Sequence, residues 1–466
     1  MTPAAALPSP SGAATAPPPA GRPRANPMAA FGLNVYLLFV ASWFLHIGLR
    51  IEPLGLIRFD LLLVIACGGL ALMSTSEPGP RTKGLSSQTM ILVLIGYAVV
   101  SLPFVEWPGS VLSAGLQNFL KAAVFGLFTH AFVKDERGLR HLLLVFVGAQ
   151  VFRVLEPLYL HVTTGYWGSF ASMGAGDEFF DRLAGAPSDI VNPNGLAFVI
   201  VSSLVFCHHL APLSRVGKWL YVAYLPLAIW ALTLTASRTG IVALAVAIGV
   251  LWLKSPRKLT FAAATIAALV VVGPMLPPDL QDRYLSLVSS NTKNSGTASG
   301  RSEGIRVGFE VARRRPFFGH GLGTSTEAQA NFAGSDMPAH NLFVEIAQEF
   351  GAFGFVLFIV FIGVVTREVR VAQARCKAVG STGLVLKTAD AVQVFFWMNI
   401  ISSWASYGLS GYEWYLMAGL SAVVVRLATQ APDRPSSAAV PGRASRPVVH
   451  ARPRVPRYAL SHHGVD

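Results

Sequence analysis

Apolar runs of about 20 residues recur along this chain from Met28 to Leu427, and short polar stretches between them carry most of its charge. Each run is long enough to cross a hydrocarbon core of ~30 Å as a helix. None shows the alternation of a membrane-spanning barrel strand. The pattern predicts twelve spans, at roughly 29–49, 54–74, 88–106, 110–133, 141–161, 190–210, 218–235, 238–253, 258–276, 340–366, 388–408 and 412–430. The longest polar interval, 277–339, lies between the ninth and tenth. Within it, Ser289 to Gly300 is rich in Ser, Asn, Thr and Gly and reads as flexible. Arg301 to Arg315 reads as a helix, with Ile305, Phe309 and Ala312 on one stripe. Glu303 is spaced to pair with Arg306, and Glu310 with Arg313 or Arg314. Pro316 ends this helix. A basic amphipathic helix beside a bilayer is expected to lie along its surface.

Composition agrees with the pattern: 53% of residues are hydrophobic and only 13% are charged, too apolar for an ordinary soluble protein. The expected fold class is an all-α polytopic membrane protein of about twelve transmembrane helices, with a large, partly helical periplasmic loop between spans nine and ten. A net charge of +13 raises the question of nucleic acid. The Lys and Arg cluster in alternate short connections and in the C-terminal tail, so their distribution points to membrane topology and lipid instead. By that bias both termini are expected in the cytoplasm, with loops 162–189 and 277–339 outside. Residues 1–27, rich in Ala, Pro and Ser, are expected to form a disordered cytoplasmic tail and lack the pattern of a signal peptide. The transmembrane domain is expected over 28–430, and 431–466 as a basic, disordered cytoplasmic tail. Cys67, Cys207 and Cys376 form no metal-spaced pair and no disulfide framework.

Candidate chemistry gathers where the long loop returns to the membrane. Gly319-His-Gly-Leu-Gly-Thr is followed by Met337-Pro-Ala-His-Asn-Leu-Phe and then a long apolar run. The glycines permit a tight turn and close backbone approach. His340 is expected at the first turn of the tenth span. Its neutral imidazole can take a proton from a sugar hydroxyl, although a lone histidine at a helix start is also a common structural hydrogen-bonder. Arg238 opens the eighth span on the same face. It reads either as an interface anchor or as a planar fork gripping two phosphate oxygens. Arg313, Arg314 and Arg315 stand just before the glycine-rich stretch, at least one of them as a lipid-surface charge. Lys121 is a further ionisable position, inside the fourth span. Arg153 and Glu156, spaced i, i+3, are expected to neutralise each other.

Four motifs carry a resemblance. They are Asn192-Pro-Asn-Gly-Leu-Ala opening the sixth span; Ser237-Arg-Thr-Gly opening the eighth; Arg301 with the helix leading to Arg315-Pro-Phe-Phe-Gly-His-Gly-Leu-Gly; and Ala339-His-Asn-Leu-Phe-Val-Glu-Ile-Ala-Gln-Glu-Phe-Gly-Ala-Phe-Gly. In order, spacing and sidedness, roughly residues 185–365 resemble the bacterial O-antigen ligases and Wzy-type polysaccharide polymerases. The resemblance implies transfer of a glycan from an undecaprenyl-diphosphate carrier to an acceptor hydroxyl at the periplasmic face of the inner membrane, without metal or cofactor. It implies Arg238 and Arg301 as diphosphate ligands and His340 as the base. Arg313, Arg314, Arg315, Asn341 and Lys121 are further substrate-binding candidates. The acceptor would be a lipid A–core in a ligase, the preferred reading, or a growing glycan in a polymerase. A departure is that the external loop is modest in length and carries three consecutive arginines. Arg301 is preferred as the second arginine because it opens the loop helix. A transporter or lipid-linked glycan flippase is the remoter alternative. It predicts internal repeats or broken helices around a midplane site, whereas this chain shows no repeat and its polar interest sits at one face.

Overall fold

The computed structural model describes residues 27–73, 84–168, 181–189, 191–275, 280, 281, 284, 296–334, 340–406 and 408–430. The expectations of disorder for 1–26 and 431–466, and of flexibility for 289–295, lie outside the described residues. Those described are helical or irregular, with no strand among them. The principal helices are α1 (Pro27–Leu45), α2 (Phe59–Met73), α3 (Ser87–Val100), α4 (Leu116–Phe132), α5 (Glu136–Thr164), α6 (Pro193–Leu210) and α7 (Arg215–Leu234). They continue with α8 (Arg238–Lys254), α9 (Lys258–Val272), α10 (Gly296–Ala312), α11 (Ser325–Ala333), α12 (Leu342–Ala378), α13 (Leu384–Ser402) and α14 (Tyr412–Gln430).

A helix occupies each of the twelve intervals predicted as spans. Among the described residues, seven stretches are both long and apolar enough to cross a membrane: Met28–Leu45, Pro108–Phe132, Glu136–Thr164, Pro193–Leu213, Arg215–Leu234, Leu342–Ala378 and Leu384–Ser402. Phe59–Met73, Ser87–Val100 and Lys258–Ala267 are shorter apolar helices.

Side-chain caps set many helix starts. Asp135, Asn192, Ser214 and Ser237 accept the backbone N–H of Gly138, Gly195, Gly217 and Gly240, each three residues on, and Ser86 does the same for Thr89. An oxygen at this position satisfies one of the N–H groups that the first turn leaves without a helical partner.

The core forms where α4, α12, α13 and α14 pack together with α1 and α3. Between α4 and α14 the backbones touch: a Cβ added at Gly126 would lie 2.6 Å from the Tyr415 carbonyl, and one at Gly419 would lie 2.9 Å from the Gly126 carbonyl. Such small residues substitute close helix approach for side-chain burial. Around this seam Tyr36, Phe39, Phe44 and Phe125 are fully buried.

Helices α8 and α13 pack antiparallel, because Lys254 at the end of α8 pairs with Asp390 near the start of α13 at 3.0 Å. At 1.5 Å per residue, Arg238 opens α8 about 24 Å from Lys254, and Ser402 closes α13 about 18 Å from Asp390. The start of α8 and the end of α13 therefore share one end of the bundle. That end also carries the start of α12, whose Leu342 N–H donates to the Ser403 carbonyl at 2.9 Å.

Candidate active site

The start of α12 is fixed by capping. Asn341 is buried, and its carboxamide oxygen accepts the N–H groups of Phe343 (3.0 Å) and Val344 (3.1 Å). Its amide nitrogen donates to the Trp404 carbonyl at 3.1 Å. His340 therefore precedes the cap instead of sitting in the first turn. The cap needs an extended Asn341, and the chain reaches it through a left-handed His340 (φ 49°). A non-glycine residue there costs on the order of 1–3 kcal/mol, a cost that neighbouring structure must offset. Glu345 fastens the same turn to the α13–α14 connection, accepting the N–H groups of Gly408 (2.7 Å) and Leu409 (3.4 Å).

Nine residues on, α12 breaks at Gly351 (φ 61°, ψ −166°). This conformation is confined almost entirely to glycine. The break frees backbone groups that a continuous helix would pair, and they must find partners. The Gln348 and Glu349 carbonyls accept the N–H groups of His320 (2.7 Å) and Gly321 (3.1 Å). The Phe350 carbonyl accepts the Tyr97 hydroxyl at 2.7 Å. Ala352 and Phe353 donate to the Pro316 and Phe317 carbonyls at 2.8 and 3.3 Å. The stretch Pro316–Gly321 thus completes the broken helix. Glycines serve this seating on both sides: a Cβ at Gly319 would lie 2.5 Å from the Glu349 carbonyl oxygen, and one at Gly351 would strike the Phe317 carbonyl.

His320 belongs to the seat. It is fully buried, with Nδ1 2.9 Å from Glu106 Oε2 and Nε2 3.0 Å from the Val311 carbonyl. Trp107 stacks on its ring with centroids 5.6 Å apart. Both ring nitrogens are committed inside the protein, which leaves His340, half-buried, as the histidine at the helix start.

Arg238 follows a tightly held turn. Thr235, Ala236 and Ser237 are buried, and Ala236 is left-handed (φ 48°). The Ser237 hydroxyl donates to Asn194 Oδ1 at 2.8 Å while accepting the Gly240 N–H. Arg182 donates from Nε to the Thr235 carbonyl (2.9 Å) and from Nη2 to Asn194 Oδ1 (3.0 Å). Arg238 is half-buried and shares its end of the bundle with Asn341 and His340.

Arg301 lies in α10, which packs against α12. That helix starts at Gly296 and ends at Ala312, not over 301–315. Gly308, Val311 and Ala312 form its buried side, whereas Phe309 is exposed. Docking through Gly308, whose carbonyl accepts Gln348 Nε2 at 3.1 Å, keeps Ala312 of the expected stripe on the packed face and leaves Phe309 off it. Glu310 pairs with Arg306 (2.6 Å), not with Arg313 or Arg314, because both lie past the end of the helix. Arg313, Arg314 and Arg315 are exposed. Arg314 lies over the Phe332 ring at 4.7 Å, and Arg315 Nε is 3.5 Å from Glu106 Oε2. Lys121 is on the exposed face of α4, with Nζ 3.4 Å from Asn118 Oδ1.

Arg153 and Glu156 do not pair with each other. Arg153 forks onto Asp189 (Nε–Oδ2 2.6 Å, Nη2–Oδ1 3.0 Å), and Glu156 receives both terminal nitrogens of Arg50 at 2.5 Å. Residues three apart on a helix diverge by a fraction of a turn, and two different neighbours meet them. Arg182, which the sequence reading did not name, and Asn194 and Glu345, which it quoted within motifs but gave no role, emerge as site-shaping residues. The Asn-x-x-Gly of 192–195 and the Ser-x-x-Gly of 237–240 mark the starts of α6 and α8, near Asn194 and Arg182, whereas the turn that Glu345 holds, Asn341-Leu-Phe-Val, carries no such glycine.

The fold is that of a multi-pass helical membrane protein in which Arg238, His340 and Asn341 share one end of the bundle. Over residues 223–359 the chain matches the family model described as O-antigen ligase, which supports the family resemblance of its motifs. The matched stretch contains Arg238, Arg301, Arg313–Arg315, His340 and Asn341. No curated protein matches the chain.

Proposed function

We propose that the protein is an O-antigen ligase-like glycosyltransferase that moves a glycan from an undecaprenyl-diphosphate carrier to an acceptor hydroxyl, preferably of a lipid A–core, at the periplasmic face of an inner membrane. All twelve helical intervals then act as spans, with both termini cytoplasmic. One observation carries the reading: within the stretch matching the family model, the structure holds Arg238 and the His340–Asn341 helix start at the same end of the bundle.

In the reaction, His340 takes the proton of the acceptor hydroxyl as that oxygen bonds to the anomeric carbon of the donor sugar. The bond from that carbon to the diphosphate oxygen breaks, and the electron pair leaves with undecaprenyl diphosphate. Arg238 and Arg301 neutralise the charge growing on the leaving group. Arginine suits this role because it stays charged and its fork matches a pair of phosphate oxygens. Arg313, Arg314, Arg315 and Lys121 are further contacts for the anionic donor, and Asn341 holds His340 in place through its cap.

The test is transfer by purified variants. Arg238→Ala, Arg301→Ala and His340→Ala each abolish transfer while inserting and unfolding like the parent protein. Full activity in His340→Ala would remove the proposed base. Deleting the protein from its parent strain fixes the acceptor. Lipid-linked polymer accumulating without attachment supports a ligase; single repeat units accumulating would make it a polymerase.

A further inference from the structure

Arg182 and Asn194 lie in segments far from Arg238 in sequence, yet both grip the turn that carries it. Arg182 spans two partners with one guanidinium, the Thr235 carbonyl at 2.9 Å and Asn194 Oδ1 at 3.0 Å. Asn194 Oδ1 also receives the Ser237 hydroxyl at 2.8 Å, and Ser237 is the cap residue immediately before Arg238. A backbone bond from Leu183 N–H to the Leu234 carbonyl, 2.9 Å, runs alongside. The 181–189 segment is itself anchored. Ala184 N–H donates to the Trp167 carbonyl at 2.7 Å, Gly185 N–H to the Val191 carbonyl at 2.8 Å, and Asp189 takes the Arg153 fork.

This is more attachment than a helix-to-helix turn requires. Ser237 already caps α8 through the Gly240 N–H. The left-handed Ala236 is a strained conformation that persists only where its surroundings enforce it. What the extra bonds add is a backbone held rigidly up to the residue that opens α8.

We infer that Arg182, with Asn194, is a positioning residue for Arg238: the pair locks the Thr235–Ser237 turn so that the Arg238 guanidinium meets the diphosphate of a polyprenyl-linked donor in one orientation. The inference rests on the proposed role of Arg238. Arg182 acts through the turn, and it needs the planar fork because a lysine ammonium cannot bridge the same two oxygens with fixed geometry.

The experiment is a double-mutant cycle on undecaprenyl diphosphate binding to the purified protein in nanodiscs, with thermal unfolding followed in parallel. Arg238→Ala and Arg182→Ala each weaken binding about tenfold or more, the scale of losing hydrogen bonds to a charged group. The double variant binds no more weakly than Arg238→Ala alone, since Arg182 has nothing left to position. Asn194→Ala reproduces the Arg182→Ala loss, so the result stands even where one variant folds poorly. Arg182→Lys fails to restore binding although it keeps the charge. Additive losses in the double variant would mean that Arg182 touches phosphate itself and would overturn the inference. So would full rescue by lysine, or parent-like binding in both Arg182→Ala and Asn194→Ala. If Arg238→Ala itself binds like the parent protein, the reading of Arg238 as a diphosphate ligand fails instead.

Discussion

Arg153 with Asp189, and Arg306 with Glu303 and Glu310, are built from the same kinds of side chain and do opposite kinds of work. The first pair is sealed, its side chains 6% and 2% exposed. The second set lies open on α10, its side chains 56–60% exposed. In water the charges of α10 are already well solvated, and pairing them gains little. Inside the bundle each charge of the first pair would be stranded without the other. The sealed pair joins α5 to the segment before α6, residues far apart in sequence. The open set joins only neighbouring turns of one helix. Burial makes an ion pair a constraint on topology; exposure leaves it a local preference.

The largest effect that could break this comparison is loss of the sealed pair. Arg153→Ala, which strands the Asp189 carboxylate, lowers unfolding stability by about 3–5 kcal/mol. The loss appears as a fall in the thermal midpoint of the detergent-solubilised protein. A fall no larger than that of Arg306→Ala would erase the distinction between the two sites.

A smaller effect sharpens it. Asn341→Ala removes a cap and a tether to the Trp404 carbonyl, costing about 0.5–2 kcal/mol on the scale of lost helix caps. Transfer activity falls by far more than stability, because His340 loses its seat. Equal, modest losses of both would show that the cap holds the helix but not the histidine.

The smallest effect belongs to the open set. Glu303→Gln leaves the thermal midpoint unchanged at neutral pH in 1 M salt, where surface charges are screened. Its bond to the Arg306 guanidinium holds the Glu303 carboxyl below the usual carboxylate range. Whatever the pair contributes is therefore present at neutral pH and lost as pH falls through that lowered value. A midpoint shift in Glu303→Gln that survives high salt would show that α10 relies on its charges after all.

Much of the fold could be read from local pattern, because hydrophobic length and capping are local properties. Every predicted span interval holds a helix, and Ser237 and Asn192, residue types that favour the cap position, cap the helices they precede. Partner choice was the harder matter. The spacing of Arg153 and Glu156 is that of a surface pair, yet Asp189 and Arg50 approach from other segments, and nothing local encodes that. Glu303 and Arg306, on an exposed helix, pair as their spacing predicts. The break at Gly351 was likewise hidden, because the sequence Glu349-Phe-Gly-Ala-Phe-Gly does not say that Gly351 leaves the helical conformation; Pro316–Gly321, which takes up the freed backbone groups, comes from another segment. Of the candidate site, the placing of Arg238 at the start of α8 was readable in the sequence. The double commitment of the His320 ring was not, because it depends on Glu106 and Val311 meeting it from two sides.

The interruption of α12 has a consequence for how this molecule could be re-engineered. Leu342–Phe350 and Ala352–Ala378 are joined by one residue, and their relative angle is held by hydrogen bonds from Pro316–Gly321 and Tyr97. The outer piece and the apolar piece are thus separate modules with a defined junction. A chimera cut at Gly351, carrying Pro316–Gly321 from the same parent as the outer piece, exchanges the histidine-bearing tip without redesigning the apolar helix beneath it.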